Sequence, residues 1–206
     1  MSGRAGKQCR SRIRAPGARH GHRRGAAQRV HEIDFWGPTR AFQVFADLLV
    51  ASRGRVVNVS SSASVTYSPW VAAYATSKAA LNTLSETMRL ELAPFCVSVV
   101  TILPGHIDSN LHVNDAARFD PPPTSRYASI SKIIESWANG EVLPNDSLSA
   151  EKFAGLIVHD IVGSGKGGLV SRGPYAVLLR RIGQWASGWL AVSNFLVFSL
   201  PQPVNG

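Results

Sequence analysis

The sequence predicts an α/β fold built on a parallel sheet, and three observations carry that prediction. Two β-branched runs, Val56-Val57-Asn58-Val59 and Val97 to Leu103, have the composition of strands buried on both faces. Each follows a segment whose apolar residues recur every three or four positions. Each ends in turn residues, Ser60-Ser61-Ser62 after the first and Pro104-Gly105 after the second. Helix, strand, helix, strand in that order means βα units.

The first helix is expected over Asp34 to Ser52, with Phe35, Trp36, Phe42, Phe45, Leu48 and Leu49 at helical spacing. Pro38 is tolerated near a first turn, and Gly54 ends the helix. The second helix is expected from about Val71 to Ala93, through Ala73, Leu81, Leu84, Met88 and Leu92, with Pro94 as its stop. Phe119 to Arg126, containing Pro121-Pro122-Pro123, reads as a loop. Ser131 to Asn139 and Ala150 to Val162 read as helices, and Gly168 to Ser171 as a last strand.

Charge divides the chain. Of 206 residues, 45% are hydrophobic and 17% charged, so a core can be filled. The formal net charge is +9, and a basic protein raises the question of nucleic acid. Position answers it. Nine of the 22 basic residues precede Glu32 and no acid does; from Glu32 onward the remaining 13 basic residues balance 13 acidic ones. Residues 1–30 carry no apolar period and no interleaved aromatics, so they are expected to be a disordered basic segment and not a nucleic-acid arm. They also lack the apolar run of a secretory signal.

Residues 31–175 form the α/β part, and 176–206 an apolar, Trp-rich tail. Arg180 and Arg181 precede 19 residues without formal charge, Ile182 to Leu200. As a helix these span about 28 Å, near the thickness of a bilayer core. Gly183, Gln184, Ser187, Gly188, Ser193, Asn194 and Ser199 dilute the run. Three placements therefore stand together: a spanning helix, a helix in the membrane interface with Trp185 and Trp189 at headgroup level, and a helix packed on the domain or on a second copy.

The chemistry lies between Asn58 and Lys78. Tyr74 and Lys78 are four residues apart, one turn apart on one helix face. An ammonium beside a phenol favours the phenolate, which prepares Tyr74 to exchange a proton with a carbonyl or alcohol oxygen. Ser61 ends the preceding strand and lies 13 residues before Tyr74. Ligands of parallel sheets sit at the carboxyl ends of the strands, within reach of both groups.

These residues resemble the short-chain dehydrogenase/reductase superfamily. The resemblance rests on Val57-Asn58-Val59-Ser60-Ser61, on Tyr74-x-x-Ser77-Lys78-Ala79-Ala80, on Arg89-Leu90-Glu91-Leu92-Ala93-Pro94, and on the strand into Pro104-Gly105. It implies a Rossmann-like doubly wound parallel sheet, incomplete here. It implies catalysis by Ser61, Tyr74 and Lys78, with Asp34 standing where the family usually has an Asn whose carbonyl holds a water; the Asp also adds a carboxylate near Lys78, which stabilises the ammonium or disturbs that water. It also implies nicotinamide cofactor binding by Tyr74, Lys78, Pro104, Gly105, Ile107 and Ser109. The run from Thr66 to Phe95, with Pro69-Trp70 before the helix, is similar to fungal NADPH-dependent 1-acyldihydroxyacetone-phosphate reductases. That similarity implies NADP(H), a lipid-like ketone as substrate, and a place at the endoplasmic reticulum or lipid droplet. Homodimerisation through the Tyr74 helix is also implied.

The family's strand with a Gly-rich turn, which holds the cofactor pyrophosphate, has no counterpart here. Gly3, Gly6, Gly17, Gly21 and Gly25 follow no apolar strand. Only the last three strands of the family's sheet are recognisable. The composition break near Val30 leads to the expectation of a truncated or mispredicted gene product, and so of a catalytically inactive remnant as the alternative to an oxidoreductase. Pro121–Pro123 falls where the family carries a variable substrate lid, and a structural loop is the other reading. The six histidines show no metal-ligand spacing, and Cys96 is expected to be buried beside the second strand.

Overall fold

The computed structural model of the chain describes residues 24–109, 125, 127–141, 146–163, 165 and 167–185. Cys9, His20, His22, His112, the prolines at 121–123, Lys166 and the tail beyond Trp185 lie outside the described residues.

Three strands, β1 (Arg55–Val59), β2 (Ser98–Pro104) and β3 (Gly167–Arg172), form a parallel sheet in the order β1-β2-β3. Val57 is opposite Val100 in the first pair, and Val100 is opposite Gly168 in the second. The central strand has the deepest core. Val99, Val100, Thr101, Ile102 and Leu103 are all buried, so both of its faces are covered, as its unbroken apolar sequence requires. This is the expected α/β architecture, with the three strands where the sequence puts them, but the expectation that Val56–Val59 is buried on both faces is not met: no residue of β1 is buried and Val59 is 51% exposed.

The helices are α1 (Arg24–His31), α2 (Gly37–Ser52), α3 (Ala72–Leu92), α4 (Ser131–Ala138), α5 (Ala150–Val162) and α6 (Ala176–Trp185). Met88 and Leu92 of α3 pack with Val97 and Val99 of the β2 arm, and Phe42 and Leu49 of α2 close that core from the side. Pro38 stands in the first turn of α2, where its missing N–H costs nothing. Pro94 converts the end of α3 into a single tight turn, Ala93–Phe95.

Several expectations are corrected. The disordered segment was expected to run through residue 30, yet residues 24–31 are helical and Val30 is buried. Ala, Arg and Gln are good helix formers, and α1 gains its support by packing on α3 rather than from an apolar stripe of its own. The helix expected from Asp34 is interrupted: Glu32–Trp36 is a π turn, closed by the Gly37 N–H donating to the Glu32 carbonyl. Arg53, not Gly54, ends α2. It adopts a left-handed conformation (φ 49°), and the Gly54 N–H reaches back to the Leu49 carbonyl. Cys96 is exposed, because it too sits in a left-handed cap (φ 60°) that turns it away from the strand.

Among the described residues β1 is hydrogen-bonded on one side only. A groove of about 560 Å³ opens between α2 and β1, lined by Phe42, Phe45, Leu49 and Val57 and reaching Asp34 and Lys78. The neighbouring surface of α2 is apolar, with Val44, Phe45 and Leu48 all exposed.

Candidate active site

The site grows from the carboxyl end of β1. The Ser60 N–H donates to the Ile102 carbonyl (2.8 Å), which carries the β1–β2 pairing one residue past the strand. Ser61 then turns the chain in extended conformation and caps the single turn Ser62–Ser64. Its Oγ accepts from the Ala63 N–H at 3.2 Å. That bond uses a lone pair and leaves the hydroxyl proton to donate elsewhere. Ser64 donates to the Ser61 carbonyl and Asn82 donates to the Ser64 hydroxyl (2.7 Å), so the turn is fixed to α3.

Helix α3 supplies Tyr74 and Lys78. The Lys78 ammonium lies 5.9 Å from the centre of the Tyr74 ring, the one-turn stacking that their spacing predicts. Two acceptors hold that ammonium. It donates to the Val59 carbonyl at 3.2 Å and pairs with Asp34 Oδ1 at 3.3 Å. The pair is mostly shielded, with side-chain exposures of 14% for Lys78 and 19% for Asp34.

The other carboxylate oxygen of Asp34 lies 3.0 Å from the Ser77 hydroxyl. The same hydroxyl is 2.8 Å from the Tyr74 carbonyl, and its single proton serves one acceptor at a time. Asp34 reaches α3 because it stands in the π turn, whose wider coil presents it across to the buried face of that helix. The sequence places Asp34 both by its backbone carbonyl and by a carboxylate near Lys78. In the structure its carboxylate makes the contacts, and Ser77, fully buried, is the partner that the sequence reading missed. The signal was available: Ser77 lies three residues after Tyr74, on the face toward the domain.

Pro104, Gly105 and Ile107 form a second group, at the end of β2. The Gly105 N–H donates to the Arg172 carbonyl (2.9 Å) and the His106 N–H to the Pro174 carbonyl (3.2 Å). A side chain at Gly105 would meet the Pro174 carbonyl oxygen at 1.8 Å, so glycine is required by close approach. Ile107 bridges Leu148 through its neighbours' peptides: Leu148 donates to the His106 carbonyl and Asp108 to the Leu148 carbonyl. The N–H and C=O of Ile107 itself are thereby left unused among the described residues. Ser109 is exposed.

Two features border the site. Trp70, just before α3, adopts a left-handed backbone (φ 62°), and its ring packs edge-on against Trp137 of α4 at 6.1 Å. Tyr175, beside the turn that holds Gly105, has its phenol pushed above its ordinary range by hydrogen bonding to the Asp146 carboxylate, by burial and by the charge of Asp146. Among the described residues no group of three or more His, Cys, Asp or Glu side chains could hold a metal ion.

Comparison with known proteins points the same way as the geometry. A short-chain dehydrogenase of Penicillium ochrochloron is 39% identical over 149 residues, covering 72% of this chain and 53% of that protein. The NADPH-dependent 1-acyldihydroxyacetone phosphate reductase of Schizosaccharomyces pombe is 32% identical over 142 residues, covering 67% of this chain and 47% of that protein. The chain thus spans about half the length of the curated relatives it matches. The crystal structure of a short-chain dehydrogenase from Burkholderia cenocepacia in complex with NADP shares the fold. It superposes with a TM-score of 0.63 at 20% identity, over 91% of this chain and 65% of that one. The short-chain dehydrogenase family model matches residues 13–118, starting inside the segment that its composition sets apart. With the Tyr74–Lys78 helix and the Ser61 turn inside that matched region, the chain belongs to the short-chain dehydrogenase family of oxidoreductases, whose members typically use NAD(P).

Proposed function

We propose that this chain carries the carbonyl-reducing site of an NADPH-dependent oxidoreductase acting on a lipid-like ketone such as 1-acyldihydroxyacetone phosphate. The observation that carries the proposal is the Lys78 ammonium, held by the Val59 carbonyl and the Asp34 carboxylate beside the Tyr74 ring. The Tyr74 hydroxyl donates its proton to the ketone oxygen, and the fixed Lys78 charge favours the phenolate left behind. The Ser61 hydroxyl, its lone pair committed to Ala63, donates to the same oxygen and orients it. The unused N–H and C=O of Ile107 fit a carboxamide, which both donates and accepts; with Pro104 and Gly105 they would hold the nicotinamide end of the cofactor. The cofactor, when bound, supplies the hydride. Similarity to the fission yeast reductase supports the substrate class. Action at the endoplasmic reticulum or lipid droplet, and pairing into a homodimer, complete the proposal.

A second reading is favoured by a specific observation. No strand precedes β1 among the described residues, and none of them forms a Gly-rich strand–turn–helix for a pyrophosphate. On that reading the described residues carry the fold and the Tyr74–Lys78 pair without binding a dinucleotide by themselves. Titration of the purified chain with NADPH, followed by nicotinamide fluorescence, separates the two. Saturable binding supports the reductase; the absence of binding up to millimolar NADPH supports the second reading.

A further inference from the structure

Helix α6 has two unlike faces. A helix advances about 100° per residue, so Ala176, Leu179, Arg180 and Gly183 share one side. That side faces the protein. Ala176 is buried, the Arg180 guanidinium donates to the Leu169 carbonyl (2.9 Å), and a side chain at Gly183 would meet the Val65 carbonyl oxygen at 1.7 Å. Val65 closes the turn that begins at Ser61. The inner face of α6 therefore braces the serine turn of the candidate site.

The opposite side carries Val177, Leu178, Arg181, Gln184 and Trp185, all exposed. Trp185 is 86% exposed, more than any other large apolar side chain described. The nearby acids are engaged elsewhere, Asp160 by Arg172 and Asp146 by Tyr175, and among the described residues no acidic side chain pairs with Arg181. The sequence beyond Trp185 continues with Trp189, Leu190, Val192, Phe195, Leu196, Val197, Phe198 and Leu200, again without charge. No described helix is long and apolar enough to cross a membrane.

We propose that the outer face of α6, formed by Val177, Leu178, Arg181 and Trp185, docks on an anionic lipid surface. Val177 and Leu178 enter the acyl boundary, Trp185 sits at headgroup level, and Arg181 lays its stem along the apolar stripe while its guanidinium meets lipid phosphate. A single anionic surface satisfies the apolar stripe and the uncompensated charge together, which an apolar partner would not. Because the inner face of the same helix holds the Val65 end of the serine turn, docking sets the candidate site beside the lipid. This deepens the proposed reductase reading, but its test does not depend on turnover.

The test is vesicle flotation of the full chain, with phosphatidylcholine vesicles and with phosphatidylcholine–phosphatidylserine vesicles. The chain is expected to float with the mixed vesicles, and added salt should reduce the bound fraction. Combined Val177→Ser, Leu178→Ser and Trp185→Ser substitutions should lower vesicle affinity about tenfold or more. Arg181→Glu, which leaves the apolar stripe intact, should weaken binding to mixed vesicles and not to phosphatidylcholine alone. Unchanged flotation of both variants would overturn the proposal. So would a parent chain that fails to float but elutes as a dimer that the triple variant dissociates, since the face would then belong to a second copy.

Discussion

The Asp34 carboxylate lies 3.3 Å from the Lys78 ammonium and, through its other oxygen, 3.0 Å from the Ser77 hydroxyl. One acidic side chain thus ties two successive residues of α3 to the π turn, and Lys78 itself reaches the end of the first strand through the Val59 carbonyl. Lys78 is then held from two directions, and its position beside Tyr74 becomes a property of the fold rather than of a mobile side chain.

Replacing Asp34 tests that arrangement. Asp34→Ala leaves the mostly shielded Lys78 charge with the Val59 carbonyl alone, and should cost about 1–3 kcal/mol, a discounted version of the loss expected for a fully buried pair. Asp34→Asn keeps an oxygen for Lys78 or Ser77 and should cost less than half as much. Urea unfolding midpoints of the three proteins measure the difference; equal midpoints would show that the pair contributes nothing.

Glycine contacts make a paired prediction. Gly183→Ala must displace either α6 or the Val65 carbonyl and should destabilise by about 2 kcal/mol, a fall in melting temperature of roughly 4–8 °C. Gly155→Ala, in α5 with open space around it, should stabilise by about 0.5–1 kcal/mol through helix propensity alone. Thermal denaturation of the two variants should therefore move in opposite directions.

Arg55 links the start of β1 to the end of α5. Its guanidinium donates to the Asp160 carbonyl (2.8 Å) and the Gly165 carbonyl (2.6 Å), capping a helix C-terminus where backbone carbonyls lack partners. Arg55→Ala should cost about 1–2 kcal/mol, and Arg55→Lys should recover only part of it because one ammonium cannot span both carbonyls. Denaturant unfolding checks both; full recovery by lysine would contradict the two-carbonyl geometry.

The fold was legible where the pattern is dense. The β-branched run at Val97–Leu103 and the helical spacing through Leu81, Met88 and Leu92 describe a buried surface and became core; the run at Val56–Val59 became a strand, but none of its residues is buried and Val59 is 51% exposed. Helix α1 was not legible, because its stability comes from packing on α3 and no local apolar stripe announces it. In the site, the Tyr74–Lys78 stacking followed from spacing. The Asp34–Ser77 contact did not, because it depends on a π turn that no periodicity encodes. The close approach of Gly183 to Val65 was hidden for a similar reason: a glycine in an apolar run reads as dilution until the opposing backbone is seen.

Alkaline pH should loosen the Tyr175–Asp146 contact. The folded-state pKa of Tyr175 is raised above its ordinary 10.0, so its contribution is fully present below that value and is lost as pH rises through the folded-state pKa. Glu151 has the opposite sign. Its carboxyl is lowered by its own backbone N–H and by Ser149, so its contribution is present above 4.5 and is lost as pH falls through the lowered folded-state value. Ultraviolet titration of tyrosinate in the wild-type chain and in Asp146→Asn measures the first effect: the variant's titration curve should move to lower pH. Identical titration curves would remove Asp146 as the cause.

The central claim is that Tyr74, with Lys78 fixed beside it, protonates a ketone oxygen. Its most direct measurement is NADPH oxidation by the purified chain with 1-acyldihydroxyacetone phosphate, compared with Tyr74→Phe. The predicted result is turnover in the wild-type chain and a loss of at least about a hundredfold in the variant, the scale of a lost general acid. Equal rates in the two proteins, or no NADPH oxidation by the wild-type chain, would contradict it.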